Sequence, residues 1–211
     1  MMKPENAPFR PIDAAVRIGH VHLKVADIGR ALGFYRDILG FHISQRYGDG
    51  AVFLSAGGYH HHIGLNTWES KDGSPPPPGS TGLYHTAILY PTRAALADAL
   101  RRVLANGVTL EGASDHGVSE ALYLRDPDDN GVELYWDKPR EVWPVDPDGR
   151  LQMYSKRLDL DDLLGETPSG ELPAMDDTNQ RMRLLALSRW ENEGGALRGP
   201  QDPGSPEKIH R

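Results

Sequence analysis

Glu133 is the residue whose placement demands chemistry. It stands in Val132-Glu133-Leu134-Tyr135-Trp136, a β-rich run that follows the turn-forming cluster Asp126-Pro127-Asp128-Asp129-Asn130-Gly131. In a strand, Glu133 projects to the opposite face from Val132 and Leu134. Turned inward without a partner, its carboxylate would cost several kcal/mol. A metal ion or a cationic group removes most of that cost, and so does an edge strand that leaves Glu133 in water. The histidines bear on that choice. Eight of the nine lie before residue 117, in or beside predicted strands and their turns. His20 and His85 are each the third residue of a predicted strand, over residues 18–25 and 83–90. Two imidazoles and one carboxylate are the donor set of a non-haem Fe(II) facial triad, which leaves positions open for a substrate and O2. Strand alternation sends His22 to the same face as His20, so periodicity alone leaves either as the first donor.

The elements that must carry these groups follow one order twice. The strand at 18–25 leads into a helix capped by Asp27 and running to residue 39, with Leu32, Tyr35, Ile38 and Leu39 as its apolar stripe and Gly40 at its end. A hairpin over 41–47 and 51–55 turns at Gly48-Asp49-Gly50, and a strand over 59–67, YHHHIGLNT, completes the unit. Its pleat sends His60, His62 and Gly64 to one face. The second unit has a strand at 83–90, a helix from its cap Thr92 to residue 105, and strands at 108–110, 121–125 and 132–136. The reading is an α+β chain of two tandem βαβββ modules, 18–68 and 83–137. An extension, 1–17, precedes them. The stretch 69–82, ESKDGSPPPPGSTG, joins them, either as a disordered linker or as a loop over a pocket mouth. The arm 138–211 follows, with a short amphipathic turn at 158–164, a helix at 181–190 and a disordered end.

Composition narrows the partners. A net charge of -7 argues against nucleic acid, which needs a basic surface. No apolar run is long enough to span a membrane, and MMKPENAPFRPID lacks the apolar core of a signal peptide, so a cytoplasmic location is expected. The absence of cysteine excludes zinc–thiolate and iron–sulfur sites. Any metal must therefore use His, Asp or Glu.

The doubled unit with HVHLKVAD, FYRDILGF and DPDDNGVELY resembles the vicinal oxygen chelate superfamily, which includes glyoxalase I, extradiol dioxygenases and antibiotic-resistance proteins. GGYHHHIGLNTW, GLYHTAIL and DHGVSEALYLRDP are most similar to its catechol 2,3-dioxygenase branch, and the resemblance covers about residues 18–160. It implies a cup-shaped, half-barrel-like mixed sheet around a metal held by His20, His85 and Glu133. It favours His20 over His22, because His20 heads the family's H-x-x-x-x-V-x-D pattern. It places His62 as the acid–base group, Tyr123 beside the substrate oxygen, and His116 as a further pocket histidine. The implied activity is Fe(II)-dependent extradiol cleavage of a catechol-like aromatic with O2, with Mn(II) or another divalent metal as substitutes and a homo-oligomer compatible. Two alternatives stand beside it: a metal-dependent glyoxalase-type isomerase or lyase, and a non-catalytic small-molecule binding protein. Gly64 falls where a glyoxalase-type site has its fourth ligand, which weighs against the first. The retained His20, His85 and Glu133 weigh against the second. Larger dioxygenases carry four modules, and this chain has one pair.

Overall fold

Asp27 starts the first helix where its side chain allows, accepting the Arg30 amide proton at 2.6 Å. The computed structural model describes residues 9–167; residues 1–8, the helix expected at 181–190 and the disordered end lie outside the described residues. Helix α1 spans Ile28–Leu32 and then widens into π turns over Gly33–Ile38, where continuous α-helix was expected. With more residues per turn, Ala31, Leu32, Phe34, Tyr35 and Leu39 all become buried.

Strand β1 (Val21–Lys24) lies parallel to β4 (Ile63–Asn66), which pairs antiparallel with β3 (Ala51–Ser55), and β3 with β2 (His42–Tyr47). The second sheet repeats the plan. Strand β5 (Thr86–Leu89) is parallel to β8 (Gly131–Asp137), followed by β7 (Ser119–Arg125) and β6 (Leu110–Asp115). Helix α2 (Arg93–Ala105) begins where Thr92 Oγ1 accepts the Ala95 amide proton at 3.1 Å. Among the described residues the sheets, of four and five strands, remain separate and do not close into a barrel. The α+β class with a βαβββ unit in each half is therefore observed.

Among the described residues a single apolar cluster runs through both halves, from Leu23, Leu54 and Leu65 to Leu96, Leu100, Leu122 and Leu134. A buried polar clamp supplements it. Tyr35 Oη donates to Asp126 Oδ2 at 2.9 Å, and the Ala26 amide donates to Asp128 Oδ1 at 2.9 Å. The turn read as a loop signal, Asp126 to Gly131, is thus also what fastens the second half to the first.

Four strands depart from the expected bounds in ways that matter to the site. The strand expected at 108–110 instead occupies Leu110–Asp115. The strand expected over 59–67 is regular only over Ile63–Asn66. Ser55 Oγ donates to the Tyr59 carbonyl at 2.6 Å and Gly57 adopts φ 68°, so the chain turns through this segment. It rejoins the sheet at His62, whose amide donates to the Leu54 carbonyl. Finally, β1 and β5 begin at Val21 and Thr86, so His20 and His85 lie just before their strands.

The chain beyond the second sheet is folded onto it. Strand β9 (Lys156–Arg157) pairs with β6, and α3 (Leu160–Gly165) buries Leu160 and Leu163, as the expected amphipathic turn requires. Arg93, paired with Glu120 on β7, ties this arm down through Asp162 and Glu166, all at 2.6–2.8 Å. Residues 71–82 are exposed and form neither helix nor strand, although the Asp72 amide is held by the Ala26 carbonyl. Among the described residues no helix is long and apolar enough to cross a membrane.

Candidate active site

Val132 and Leu134 are 1% and 0% exposed in the core, so the pleat of β8 turns Glu133 to the open face of the sheet. There its Oε2 lies 2.8 Å from His85 Nε2. Gly131 makes this approach feasible. A Cβ at that position would come within 2.1 Å of the Tyr84 carbonyl oxygen and 3.0 Å of His85 Cβ. The missing side chain lets the segment before β5 pass directly over the start of β8. Asn130-Gly131 closes the turn-forming cluster, and nothing in the sequence announces this second role.

A chain of hydrogen bonds continues from Glu133. Tyr123 on β7 is its register partner, and Tyr123 Oη lies 3.1 Å from Glu133 Oε1 and 2.7 Å from His116 Nε2. Burial first, and then the Glu133 carboxylate, push the Tyr123 phenol well above its ordinary range. It therefore remains a proton carrier at neutral pH. His116 Nδ1 lies 3.1 Å from the Tyr154 carbonyl oxygen, on the C-terminal arm. That partner was not anticipated, because the arm showed no periodic pattern to dock it.

In the first half, the histidines gather among themselves. The His20 ring lies 4.4 Å from that of His61 and 6.4 Å from that of His60, and His60 Nδ1 is 2.7 Å from His61 Nδ1. His62 turns elsewhere: its Nδ1 accepts the Ala56 amide proton at 3.3 Å and lies 3.3 Å from Ser55 Oγ. A backbone amide can only donate, so neutral His62 carries its proton on Nε2. His22 lies across Gly64, where an added Cβ would be 3.0 Å from its ring, and packs beside Phe53 and Trp68. Burial, and then neighbouring His20, lower its pKa; burial followed by the surrounding imidazoles does the same for His61.

The structure thus brings His85, Glu133, Tyr123 and His116 together, and sets His20 and His62 in the other half. Among the described residues no three His, Asp or Glu side chains are close enough to hold a metal ion. His20 stands exposed before its strand and is not drawn to His85 and Glu133 in this geometry. The pleat argument that placed His60 and His62 on one face does not apply, because both precede the regular strand. The donor pair itself suits a divalent cation: two adjacent ligands at about 2.1 Å from a metal sit about 3 Å apart. His85 Nδ1 is buried and without a hydrogen-bond partner.

The comparisons agree with this architecture. The family model for the Glyoxalase/Bleomycin resistance protein/Dioxygenase superfamily matches residues 17–134. A catechol-2,3-dioxygenase of Bacillus subtilis (strain 168) is 40% identical over 150 residues, covering 71% of this chain and 51% of that protein. Biphenyl-2,3-diol 1,2-dioxygenase 3 of Rhodococcus globerulus is 34% identical over 123 residues, 57% of this chain and 63% of that protein. The chain therefore spans about half to just under two thirds of the length of these relatives. Among solved structures, a glyoxalase/dioxygenase from Nostoc punctiforme shares the fold, with a TM-score of 0.50 and 19% identity over 63% of this chain and 100% of that one. The repeated module and the match across both copies carry one conclusion: the chain belongs to the glyoxalase/bleomycin resistance protein/dioxygenase superfamily.

Proposed function

We propose that the chain is an extradiol ring-cleavage dioxygenase that opens a catechol-like aromatic with O2 at an Fe(II) site of His85, Glu133 and, from the first half, His20. The observation that carries this reading is the His85–Glu133 pair at 2.8 Å, backed by Tyr123 and His116. Bound there, iron would supply the charge that acidifies a catechol hydroxyl and the open positions at which diol and O2 meet.

The chain's own groups handle protons. Tyr123 donates its one hydroxyl proton to Glu133 Oε1, and the nearer His116 Nε2 is a second acceptor for that proton when this nitrogen carries no hydrogen. A proton released beside Tyr123 can therefore be passed toward His116, away from the ring being opened. His62 offers the complementary service. With Nδ1 engaged by the Ala56 amide, its Nε2–H is the donor it can present to developing negative charge. Gly64 supplies no fourth donor, and the His22 ring occupies the space where a side chain there would begin, which disfavours a glyoxalase-type ligand set.

In the net reaction the carbon–carbon bond beside the diol breaks and both atoms of O2 enter the product, so one O2 is consumed per catechol. Protein purified without oxygen, loaded with Fe(II), mixed with catechols and then given O2 should show that ratio and a yellow ring-opened semialdehyde. Iron-replete protein that binds catechols but consumes no O2 refutes the proposal. Turnover of methylglyoxal–thiol adducts would then support an isomerase, and failure of both assays with no retained metal would support a binding protein.

A further inference from the structure

His116 stands in the turn between β6 and β7, and the arm beyond the second sheet returns to grip it. The Tyr154 amide donates to the His116 carbonyl at 3.3 Å, and His116 Nδ1 lies 3.1 Å from the Tyr154 carbonyl oxygen. A carbonyl can only accept, so Nδ1 must carry the hydrogen of that bond. The surrounding contacts keep the two main chains together. Strand β9 pairs with β6, and the Lys138 amide donates to the Val118 carbonyl at 2.8 Å. The Tyr154 ring lies over Gly117, where an added Cβ would come within 2.7 Å of it and 2.8 Å of Pro144. Gly117 also adopts φ 79°, so the position suits glycine in both space and backbone. The Lys156 ammonium, 4.5 Å from the centre of the Tyr154 ring, steadies that ring.

We infer that Tyr154 is a positioning residue of the site: its carbonyl holds His116 as the Nδ1–H tautomer and so presents the Nε2 lone pair to the Tyr123 hydroxyl 2.7 Å away. The inference rests on the proposed function only for its consequence, that Tyr123 and His116 serve the substrate oxygen. In the other tautomer Nε2 would carry hydrogen, Tyr123 could not give its proton to His116, and that route would close. The arm around Tyr154 is thereby a working part of the site, because it decides which nitrogen of His116 faces inward.

The tautomer can be read directly. Long-range proton–nitrogen correlation spectra of the metal-free full chain, labelled at the histidine nitrogens, distinguish Nδ1–H from Nε2–H rings. They should be taken at about pH 8.5, above the ordinary imidazole range. His116 is identified by the signals lost in His116→Gln. The expected result is Nδ1–H. In Gly117→Ala the methyl meets both the Tyr154 ring and Pro144 and the φ of 79° is strained, so the main chain that carries the Tyr154 carbonyl must shift; His116 should move toward Nε2–H, and turnover of the Fe(II)-loaded protein should fall by about 10²-fold. Tyr154→Phe keeps the carbonyl and should match the wild type in both measurements. A wild-type His116 in the Nε2–H form overturns the inference, whether or not Gly117→Ala folds. An unchanged tautomer in folded Gly117→Ala overturns it too. An Nδ1–H His116 in a protein that cleaves no catechol leaves the tautomer assignment standing and removes the proposed function instead.

Discussion

Replacing Gly131 by alanine tests how the site is assembled without touching any group proposed to do chemistry. The new Cβ would lie 2.1 Å from the Tyr84 carbonyl oxygen. Carbon–oxygen contacts settle near about 3.3 Å, so the segment carrying Tyr84 and His85 must retreat by about 1 Å. The 2.8 Å approach of His85 to Glu133 would be lost, and with it the two-donor half of the metal site. Forcing one methyl into a packed position costs about 1–3 kcal/mol. For a chain of this length that corresponds to a drop of about 2–12 °C in melting temperature. Gly33→Ala is the matched control. Nothing lies within 4 Å of a Cβ there and the backbone is helical, so the substitution should stabilise by about 0.4–1 kcal/mol. Thermal unfolding and metal analysis of the two variants separate the close approach from the general effect of adding a methyl group. A Gly131→Ala protein with wild-type melting temperature and full metal retention would refute the reasoning.

Three further outcomes follow from specific contacts. His62→Phe should keep bound metal and lose about 10²–10⁴-fold in turnover under the proposed activity, measured by metal content and O2 uptake; loss of metal would instead make His62 a ligand. Tyr35→Phe removes the bond from a fully buried hydroxyl to Asp126, while Asp126 keeps its amide donors from Asp128 and Asn130. A bond to a carboxylate is worth about 1.5–3 kcal/mol, and urea unfolding should register a loss in that range. Burial raises the Asp115 carboxyl, but Lys138 at 2.7 Å and the Gly117 amide outweigh it and hold its pKa below the usual range. A depressed carboxyl stabilises above its unfolded pKa of about 3.9 and loses that stability as pH falls through the lower folded value. Asp115→Asn should therefore flatten the acid limb of stability below about pH 4, and an unchanged limb would count against the pairing.

The frame of the fold was legible because its signals are local. Asp27 and Thr92 cap helices with their own side chains, and the strand–helix order repeats within each half. Where the reading missed, the cause lay in partners distant in sequence. The strand over Leu110–Asp115 contains Gly112 and the buried Ser114 and sets Asp115 opposite the buried Glu120 on β7, so no apolar run marked it. Glu120 can be buried because Arg93 and Lys138 approach it, one from before and one from after it in the chain. The same limit applied to the site. Tyr123 opposite Glu133 could be placed from two strands and a short turn, whereas the Tyr154 carbonyl on His116 required a return of the chain that leaves no periodic trace. For His60 and His62 strand alternation has no hold, because both stand in a turn organised by Ser55 and Gly57, before the regular strand.

The two halves of the candidate site differ in how firmly they are built. In the second half, each side chain is held by the next, from His85 through Glu133, Tyr123 and His116 to the main chain of Tyr154. Such outer contacts orient a metal ligand before the metal arrives. In the first half, His20 is exposed, precedes its strand and rests against His61, so its ring has little to hold it. The clamp limits how far the two halves can drift. Ala26, at the far end of β1 from His20, is fastened to Asp128, and Glu133 lies five residues beyond Asp128. From that one buried hydrogen bond His20 is reached back along β1, and Glu133 is reached through the end of the turn and the start of β8. If His20 completes the metal site, its exposed ring must leave the contact with His61. Rigidity is concentrated where Tyr123 and His116 must keep hydrogen-bond geometry, and freedom is left to the group whose proposed task is to close the coordination shell.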